Sequence, residues 1–127
     1  MINLYINEHR VGDVTVLDLK GRIRIGGGTT ELHRSIRCLV GEGKTQILLN
    51  LAHVTHVDSS GLGELIASRS TVMNKGGSMK LSHLTERMRD LMVITKLLTV
   101  FDVFDDDEQA VASFSSEVLR VARPALV

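Results

Sequence analysis

Two adjacent serines stand where a strand-like apolar run ends and a helical pattern begins. The apolar run covers 47–51, and the helical pattern opens with Asp58-Ser59-Ser60-Gly61-Leu62-Gly63. A serine hydroxyl at this point can cap the helix, which typically stabilises it by about 1 kcal/mol. A phosphate on the same hydroxyl would meet free backbone N–H groups and the positive end of the helix dipole. The residues alone leave both interpretations open, a capping serine or a phosphorylation site.

The two glycines after the serines are a second signal at this corner. A glycine inside a helix weakens it by roughly 0.5–1 kcal/mol relative to alanine, and here Gly61 and Gly63 fall in the first turn. Their presence indicates that something requires a bare backbone there, either a docking partner or a packed neighbour. Reactive groups and ligands in open α/β sheets gather at the carboxyl ends of strands, so this corner is the leading candidate site.

Other residue types that could do chemistry form weaker patterns. Ser59 is not part of a G-x-S-x-G turn, and nothing selects one of the five histidines as its base, so no enzyme is predicted. The glycine-rich segment 26–30 lacks the lysine of a phosphate-binding loop, which favours a flexible strand-to-helix connection. His53-x-x-His56 has no companion cysteine pair, and the acidic run 105–108 lacks the calcium-loop spacing. The sequence therefore predicts neither a metal site nor a cofactor.

Composition sets broad limits on the fold and on the partners. The chain has 127 residues, 43% of them hydrophobic, and only three Phe, one Tyr and no Trp, which predicts one domain over 1–127 with an aliphatic core. Fifteen basic and fifteen acidic residues cancel. This balance argues against a nucleic-acid partner, which would favour a basic face, and against a polybasic membrane-binding segment.

Cellular location is indicated by the cysteine content and by the absence of apolar runs. Cys38 is the only cysteine, which excludes an intramolecular disulfide, and its apolar neighbours predict a buried side chain. The first residues lack the pattern of a signal peptide, and no apolar run approaches the ~20 residues needed to cross a bilayer. We expect a cytoplasmic protein that does not insert into membranes.

The periodicity of apolar residues predicts alternating strands and helices. The predicted strands cover 4–8, 14–19, 45–51, 78–82 and 100–104, with loops over 21–28 and 52–58. Helices are predicted after Thr29 or Thr30, from Ser60, from about Thr85 and from the acidic run. The order β-β-α-β-α-β-α-β-α predicts a mostly parallel sheet that begins with an antiparallel hairpin. Residues after about 120, which include Pro124, are expected to form a disordered tail.

Finer features of the helices are also predicted. Thr29 or Thr30 is expected to cap the first helix, and Asp105 with Glu108 has capping-box spacing at the start of the last. The apolar set of the second helix should face the core and comprises Leu62, Leu65, Ile66, Val72 and Met73.

Three segments together resemble the STAS domain of bacterial anti-sigma factor antagonists. They are Asn50-Leu51, the string from Val57 to Gly63, and Gly76-Gly77-Ser78-Met79. The resemblance extends over about 4–114. It implies an α/β fold with a mixed four- to five-stranded sheet and about four α-helices packed mainly on one face.

The resemblance also implies a partner-switching mechanism without catalysis or a cofactor of its own. An unphosphorylated member binds an anti-sigma factor that is also a serine kinase, and a sigma factor is released. The kinase then phosphorylates the first serine of the motif, here Ser59, with Ser60 as the less favoured site, and binding is switched off. A metal-dependent serine phosphatase restores the first state. The implied partner-binding residues are Arg24, Asp58, Ser59, Ser60, Gly61, Leu62 and Gly63.

One departure from the family pattern and two alternative roles follow from the same resemblance. Many members carry an acidic residue where this chain has Arg24, and the following Gly26-Gly27-Gly28 is unusual. This charge reversal predicts a different or reshaped partner, and it places arginines within possible reach of a phosphate on Ser59. The alternative roles are a structural STAS scaffold of a stress-signalling complex and a soluble STAS subunit of a lipid-transport ATPase.

Overall fold

The computed structural model describes residues 3–122, with side chains as far as 115. Its strands are β1 (Leu4–Val11), β2 (Val14–Ile23), β3 (Gln46–Val57), β4 (Ser78–Ser82) and β5 (Val103–Phe104). Its helices are α1 (Thr29–Gly41), α2 (Ser59–Asn74), α3 (Glu86–Ile94) and α4 (Asp107–Ala122), and a short 3₁₀ helix covers Leu97–Thr99. The predicted order of elements is confirmed, whereas most of the predicted tail, with Pro124, lies outside the described residues.

The sheet is mixed, as predicted, and its strands follow the chain order β1-β2-β3-β4-β5. The β1–β2 pair is antiparallel and the three other pairs are parallel. In the central strand β3, Ile47, Leu48, Leu49 and Leu51 are completely buried. An apolar run without polar alternation is typical of a strand that is covered on both faces, and that prediction is confirmed.

The helices are divided unequally between the two faces of the sheet. The larger core joins α1, α2 and α3 to one face, and it is almost entirely aliphatic. On the other face α4 contributes Ala110 and Phe114, which pack against Val14, Val16 and Leu48. The predicted fold class, with helices mainly on one face, is therefore correct.

Two predicted loops are wrong over 21–23 and 52–57, because the neighbouring strands extend into them. β2 continues through Gly21 to Ile23, and β3 continues through the predicted loop 52–58 as far as Val57. The extensions pair with each other, Gly21 with Val54 after one register shift and Ile23 with Val57 after a second. Long-range strand pairing here outweighs the local preference of the glycine. β1 likewise extends beyond the predicted 4–8.

The last strand is shorter than the predicted 100–104. The chain forms a 3₁₀ helix at Leu97–Thr99 and pairs with β4 only at Val103 and Phe104. The pairing starts only at Leu81 of β4, after the 3₁₀ helix, and it stops at Ser82, where β4 itself ends.

The predicted cap of α1 by Thr29 or Thr30 is wrong. The helix begins after Gly28, whose φ of 91° favours glycine, and the Glu31 carboxylate accepts a hydrogen bond from the Gly28 N–H at 2.6 Å. Glu31, at the third position of the helix, thus accepts from the N–H of the cap residue, which is the glutamate half of a capping box.

The acidic run does start a helix, but Asp105 and Glu108 do not form its cap. The Asp106 carboxylate accepts a hydrogen bond from the Gln109 N–H at 2.7 Å, and α4 begins at Asp107. The predicted starts of the other two helices are closer, since α3 begins at Glu86, next to Thr85, and α2 begins at Ser59, one residue before the predicted Ser60.

Cys38 is exposed, contrary to the prediction of a buried thiol. α1 turns Leu32, Ile36 and Leu39 toward the core. Residue 38 lies two positions after Ile36, about 200° around a helix of 3.6 residues per turn, and so falls on the solvent side. No described helix is long and apolar enough to cross a membrane.

Candidate functional site

The corner between β3 and α2 is organised by Asp58 rather than by a serine. Asp58 is the N-cap of α2, and its Oδ1 accepts a hydrogen bond from the Gly61 N–H at 2.9 Å. The interpretation in which a serine caps the helix is therefore wrong. Ser59 is exposed and Ser60 is half-buried, and neither hydroxyl has a hydrogen-bond partner among the described residues. Both hydroxyls are thus free for other chemistry.

The second oxygen of Asp58 reaches a different part of the chain. Oδ2 accepts a hydrogen bond from the Ile25 N–H at 3.0 Å, across 33 residues of sequence. The Ile25 N–H and then the Gly61 N–H are the main causes that lower the pKa of Asp58 below its ordinary value of 3.8, because both bonds favour the carboxylate. Asp58 is therefore a negative charge fixed beside Ser59.

The glycine-rich segment is a tight, hydrogen-bonded turn, not the flexible connection that was predicted. Arg24 and Gly27 exchange two backbone hydrogen bonds of 2.9 and 3.0 Å, and Gly26 between them has a φ of 79°. A Cβ on Gly28 would lie 1.8 Å from the Arg22 carbonyl oxygen. Close packing thus requires Gly28, and the backbone conformation favours a glycine at Gly26, so no phosphate ligand is needed to explain either residue.

Ile25 at the tip of that turn is a surface feature that the sequence reasoning missed. Its side chain is 76% exposed, although its backbone is held by Asp58. An apolar residue surrounded by glycine and arginine was the available signal. A rigid backbone that presents an apolar side chain to water is typical of a binding surface, because little ordering remains to be done on association.

The two glycines of the first helical turn have different explanations. A Cβ on Gly61 would lie 2.0 Å from the Ile23 carbonyl oxygen, so a packed neighbour requires this glycine. A Cβ on Gly63 would meet nothing within 4 Å. Leu62 between them is 6% exposed and belongs to the core. Of the predicted partner-binding residues, Gly61 and Leu62 thus support the corner from within, and Gly63 lies on its surface.

An exposed row of residues continues from Ser59 along α2, and we call it the α2 stripe. Its spacings are four, three, four and three residues, which keep one helix face, and its members are Ser59, Gly63, Ile66, Ser70 and Met73. Ile66 and Met73 are 38% and 48% exposed, so the prediction that they face the core is wrong. The core of α2 is formed by Leu62, Leu65 and Val72.

Arg24 lies beside the corner but is not drawn into it. Its backbone belongs to the turn that Asp58 holds, and its side chain is half-buried with no ion pair among the described residues. Arg24 therefore adds positive charge near the site without a contact to either serine.

The described residues hold no group of three or more His, Cys, Asp or Glu side chains that could bind a metal ion. Three of the described histidines, His9, His33 and His83, each pair with a single carboxylate instead, as His33 does with Glu64 at 3.3 Å. The hydroxyl of Ser68 donates to the same Glu64 oxygen at 2.9 Å. Glu64 thus serves to join α1 and α2.

Comparison with known proteins places this geometry in context. The family model described as the STAS domain matches residues 5–110. The anti-sigma-B factor antagonist of Bacillus subtilis (strain 168) is 33% identical over 72 residues, which cover 57% of this chain and 66% of that protein. The match therefore spans just under two thirds of the length of that relative.

Solved structures share the fold at lower identity. An anti-sigma factor antagonist from Mycobacterium paratuberculosis superposes with a TM-score of 0.76 at 18% identity, over 88% of this chain and 94% of that one. The phosphorylated form of the Bacillus cell fate determinant SpoIIAA gives 0.67 at 18% identity, over 86% and 98%. At such identities the similarity establishes the arrangement of strands and helices.

Proposed function

The chain belongs to the STAS domain family, and from that premise we propose that it is an anti-sigma factor antagonist that works by partner switching. The unphosphorylated chain binds an anti-sigma factor that is also a serine kinase, and a sigma factor is released. Phosphorylation of Ser59 by that kinase ends the binding, and a metal-dependent serine phosphatase restores it. The chain acts in the cytoplasm as a binding partner and catalyses nothing itself.

The observation on which this proposal depends is that Asp58, and not Ser59, caps α2. Asp58 satisfies the N-terminus of α2, which leaves the adjacent Ser59 hydroxyl exposed and unbonded. A kinase can therefore phosphorylate this hydroxyl without removing a helix cap. A phosphate there would lie at a helix N-terminus, where negative charge is favourable, so the modified chain keeps its fold.

The surroundings of the two serines favour Ser59 as the modified residue. Ser60 is half-buried and lies on the same face of α2 as Glu64, one turn later. That face turns toward α1, where Glu64 meets His33. A phosphate on Ser60 would approach a carboxylate and crowd the seam between the helices, whereas one on Ser59 would extend into solvent.

The α2 stripe provides the surface on which the partner would dock. Small residues alternate on it with the exposed apolar Ile66 and Met73, and the open space over Gly63 lets another backbone approach closely. Such a helix face can pack into a shallow apolar groove on the partner. Ser59 lies at one end of the stripe. A phosphate adds about −1.5 to −2 charge, which disrupts an apolar interface by repulsion and by the cost of desolvation.

The proposal is tested on tagged protein recovered from the source cells in three forms, the native chain, Ser59→Ala and Ser60→Ala. We expect peptide mass spectrometry to find phosphate on Ser59 in the native chain and in Ser60→Ala, and none in Ser59→Ala. The unphosphorylated fraction should co-purify with a small kinase that also binds a sigma factor, and the phosphorylated fraction should not.

Two other outcomes would favour one of the alternative roles of the chain. Co-purification in a megadalton particle, without phosphate at either serine under growth and stress, would indicate a scaffold role. Co-purification with a membrane ATPase would indicate a transport subunit. Phosphate confined to Ser60 would contradict the choice of Ser59 but leave the switching mechanism in place.

A further inference from the structure

A groove lies between the carboxyl-terminal ends of α1 and α2, at the opposite end of α2 from Ser59. Its cavity has a volume of about 360 Å³ and is lined by Arg37, Val40, Gly41, Thr71, Asn74 and Lys75. One wall is aliphatic and the others are polar. A Cβ added to Gly41 would meet nothing within 4 Å, so the groove is open above this residue.

The polar side chains of this groove have no internal partner. Among the described residues, Arg37 and Lys75 form no ion pair, and Thr71 and Asn74 form no side-chain hydrogen bond. Lys44 and Arg89, by comparison, each pair with a carboxylate, with Glu8 at 3.5 Å and with Asp105 at 3.6 Å, whereas the groove brings together in one cavity two cations that have no ion pair in the described part of the chain. In a chain of zero net charge the groove is thus a local excess of uncompensated positive charge.

We infer that this groove is a docking site for an acidic segment of a protein partner. Arg37 and Lys75 can meet two separate carboxylates, Thr71 and Asn74 can bond the backbone of the segment, and Val40 can pack against an aliphatic stem. Both helices end here, and helix C-termini carry partial negative charge. A compact phosphate close to both helix ends is therefore disfavoured, whereas carboxylates on a longer segment can meet the exposed cationic side chains of Arg37 and Lys75.

The inference does not rest on the proposed function of Ser59. α2 spans 16 residues, and at a rise of 1.5 Å per residue its two ends are about 22 Å apart. The Debye length at 0.1 M ionic strength is about 10 Å, so a phosphate on Ser59 has little electrostatic effect on the groove. A partner segment bound there would remain attached whatever the state of Ser59.

The test is a titration of the ¹⁵N-labelled chain with a hexaglutamate peptide, with a hexalysine peptide as the comparison probe. At 50 mM NaCl, we expect hexaglutamate to shift amide resonances of residues 37–41 and 71–75, and hexalysine not to shift them. The affinity should fall at least fivefold at 300 mM NaCl. The double variant Arg37→Glu with Lys75→Glu should lose tenfold or more in affinity.

Two further variants separate the groove from charge in general. Gly41→Asp places a carboxylate in open space beside both intact cations, and it should weaken hexaglutamate binding while the chain stays folded. Lys20→Glu with Arg87→Glu changes the net charge by the same amount as the groove reversal, but at exposed positions elsewhere, and should bind nearly as the native chain does.

The inference is overturned if hexaglutamate does not bind, if it shifts amides near all basic residues alike, or if the distant reversal weakens binding equally. Ser59→Asp should not change this affinity, and a change would overturn the independence of the two ends.

Discussion

At the scale of single residues, one carboxylate determines how the candidate site is built. Asp58 uses one oxygen to cap α2 and the other to hold the turn that carries Ile25. Serine and aspartate have similar preference for the cap position, so the sequence could not decide between Asp58 and its neighbours. The bond to Ile25 could not be read from local spacing, since it depends on β2 reaching Ile23 beside the end of β3.

Asp58→Asn should remove the bond to Ile25 while keeping the cap. The amide oxygen can still accept from the Gly61 N–H, but the amide nitrogen cannot accept from the Ile25 N–H. The folded-state pKa of Asp58 is lowered, so its contribution to stability is present above 3.8 and is lost as the pH falls through the folded value. We expect the native chain to have a higher urea midpoint than the variant at pH 7, and the difference to shrink at pH 3 and below.

Other carboxylates titrate in both proteins, and the comparison of the two midpoints removes their effect. A midpoint difference that stays constant from pH 7 to pH 2.5 would contradict the role assigned to Asp58. The lowered pKa also means that an NMR titration of the Asp58 carboxyl carbon should have its midpoint below the ordinary value of 3.8.

The two glycines of the first helical turn should respond in opposite directions to the same substitution. Gly61→Ala forces a methyl group against the Ile23 carbonyl oxygen and should destabilise the fold by about 1–3 kcal/mol. Gly63→Ala adds a methyl group in open space and should stabilise the helix by about 0.5–1 kcal/mol. Urea denaturation of both variants decides the question. Similar losses at the two positions would show that the open space over Gly63 is wrongly assigned.

At the scale of elements, α4 is tied to the sheet by a polar contact that local sequence patterns do not predict. Asp107 accepts a hydrogen bond from the Ser82 hydroxyl at 2.5 Å and another from the Asn50 side-chain amide at 3.0 Å. Ser82 is completely buried at the end of β4. The acidic run was predicted as a solvated helix start, and one of its members instead joins α4 to β3 and β4.

Asp107→Ala should loosen α4 more than the rest of the fold. The substitution leaves the buried Ser82 hydroxyl without its partner, which costs about 1–3 kcal/mol. Glu108→Ala, at an exposed neighbouring position, is the matched control and should stay within about 0.5 kcal/mol of the native chain. Hydrogen exchange should show faster exchange of α4 amides in the first variant only. Equal exchange rates in both variants would mean that the polar contact does not hold the helix.

The elements themselves were predictable where their evidence is local. The buried run of β3, the strand β4 and the start of α3 near Thr85 follow from apolar patterning. The ends of β2 and β3 were not predictable, because each extension is stabilised by the other strand and not by its own residues. The exposed side of α2 was missed for a related reason. Ile66 and Met73 are apolar, and only the packed structure shows that the core is already filled by Leu62, Leu65 and Val72.

At the scale of the whole molecule, the two proposed binding regions lie at opposite ends of α2, which packs on one face of the sheet. Ser59 follows the carboxyl end of β3, and the groove lined by Arg37 and Lys75 lies at the other end of α2. Between them the helix buries Leu65 and Val72 against the central strands. An interior packed in this way resists continuous deformation, so a charge added at one end of α2 should change the structure only close to that charge.

Ser59→Asp should therefore change what the chain binds without changing how it folds. The new carboxylate lies in the first turn of α2, where the helix dipole makes negative charge favourable by about 0.3–1 kcal/mol. We expect an unfolding free energy equal to or slightly above that of the native chain. Amide shift changes should be confined to residues 24–28 and 58–63, around the corner that Asp58 holds together.

Ser70→Asp, on the same α2 stripe but away from the helix end, is the control and should gain nothing from the dipole. Shift changes that spread into β1 or β4, or a variant less stable than the control, would mean that charge at Ser59 acts through the fold. The switch would then be conformational, and the surface mechanism proposed for the α2 stripe would have to be abandoned.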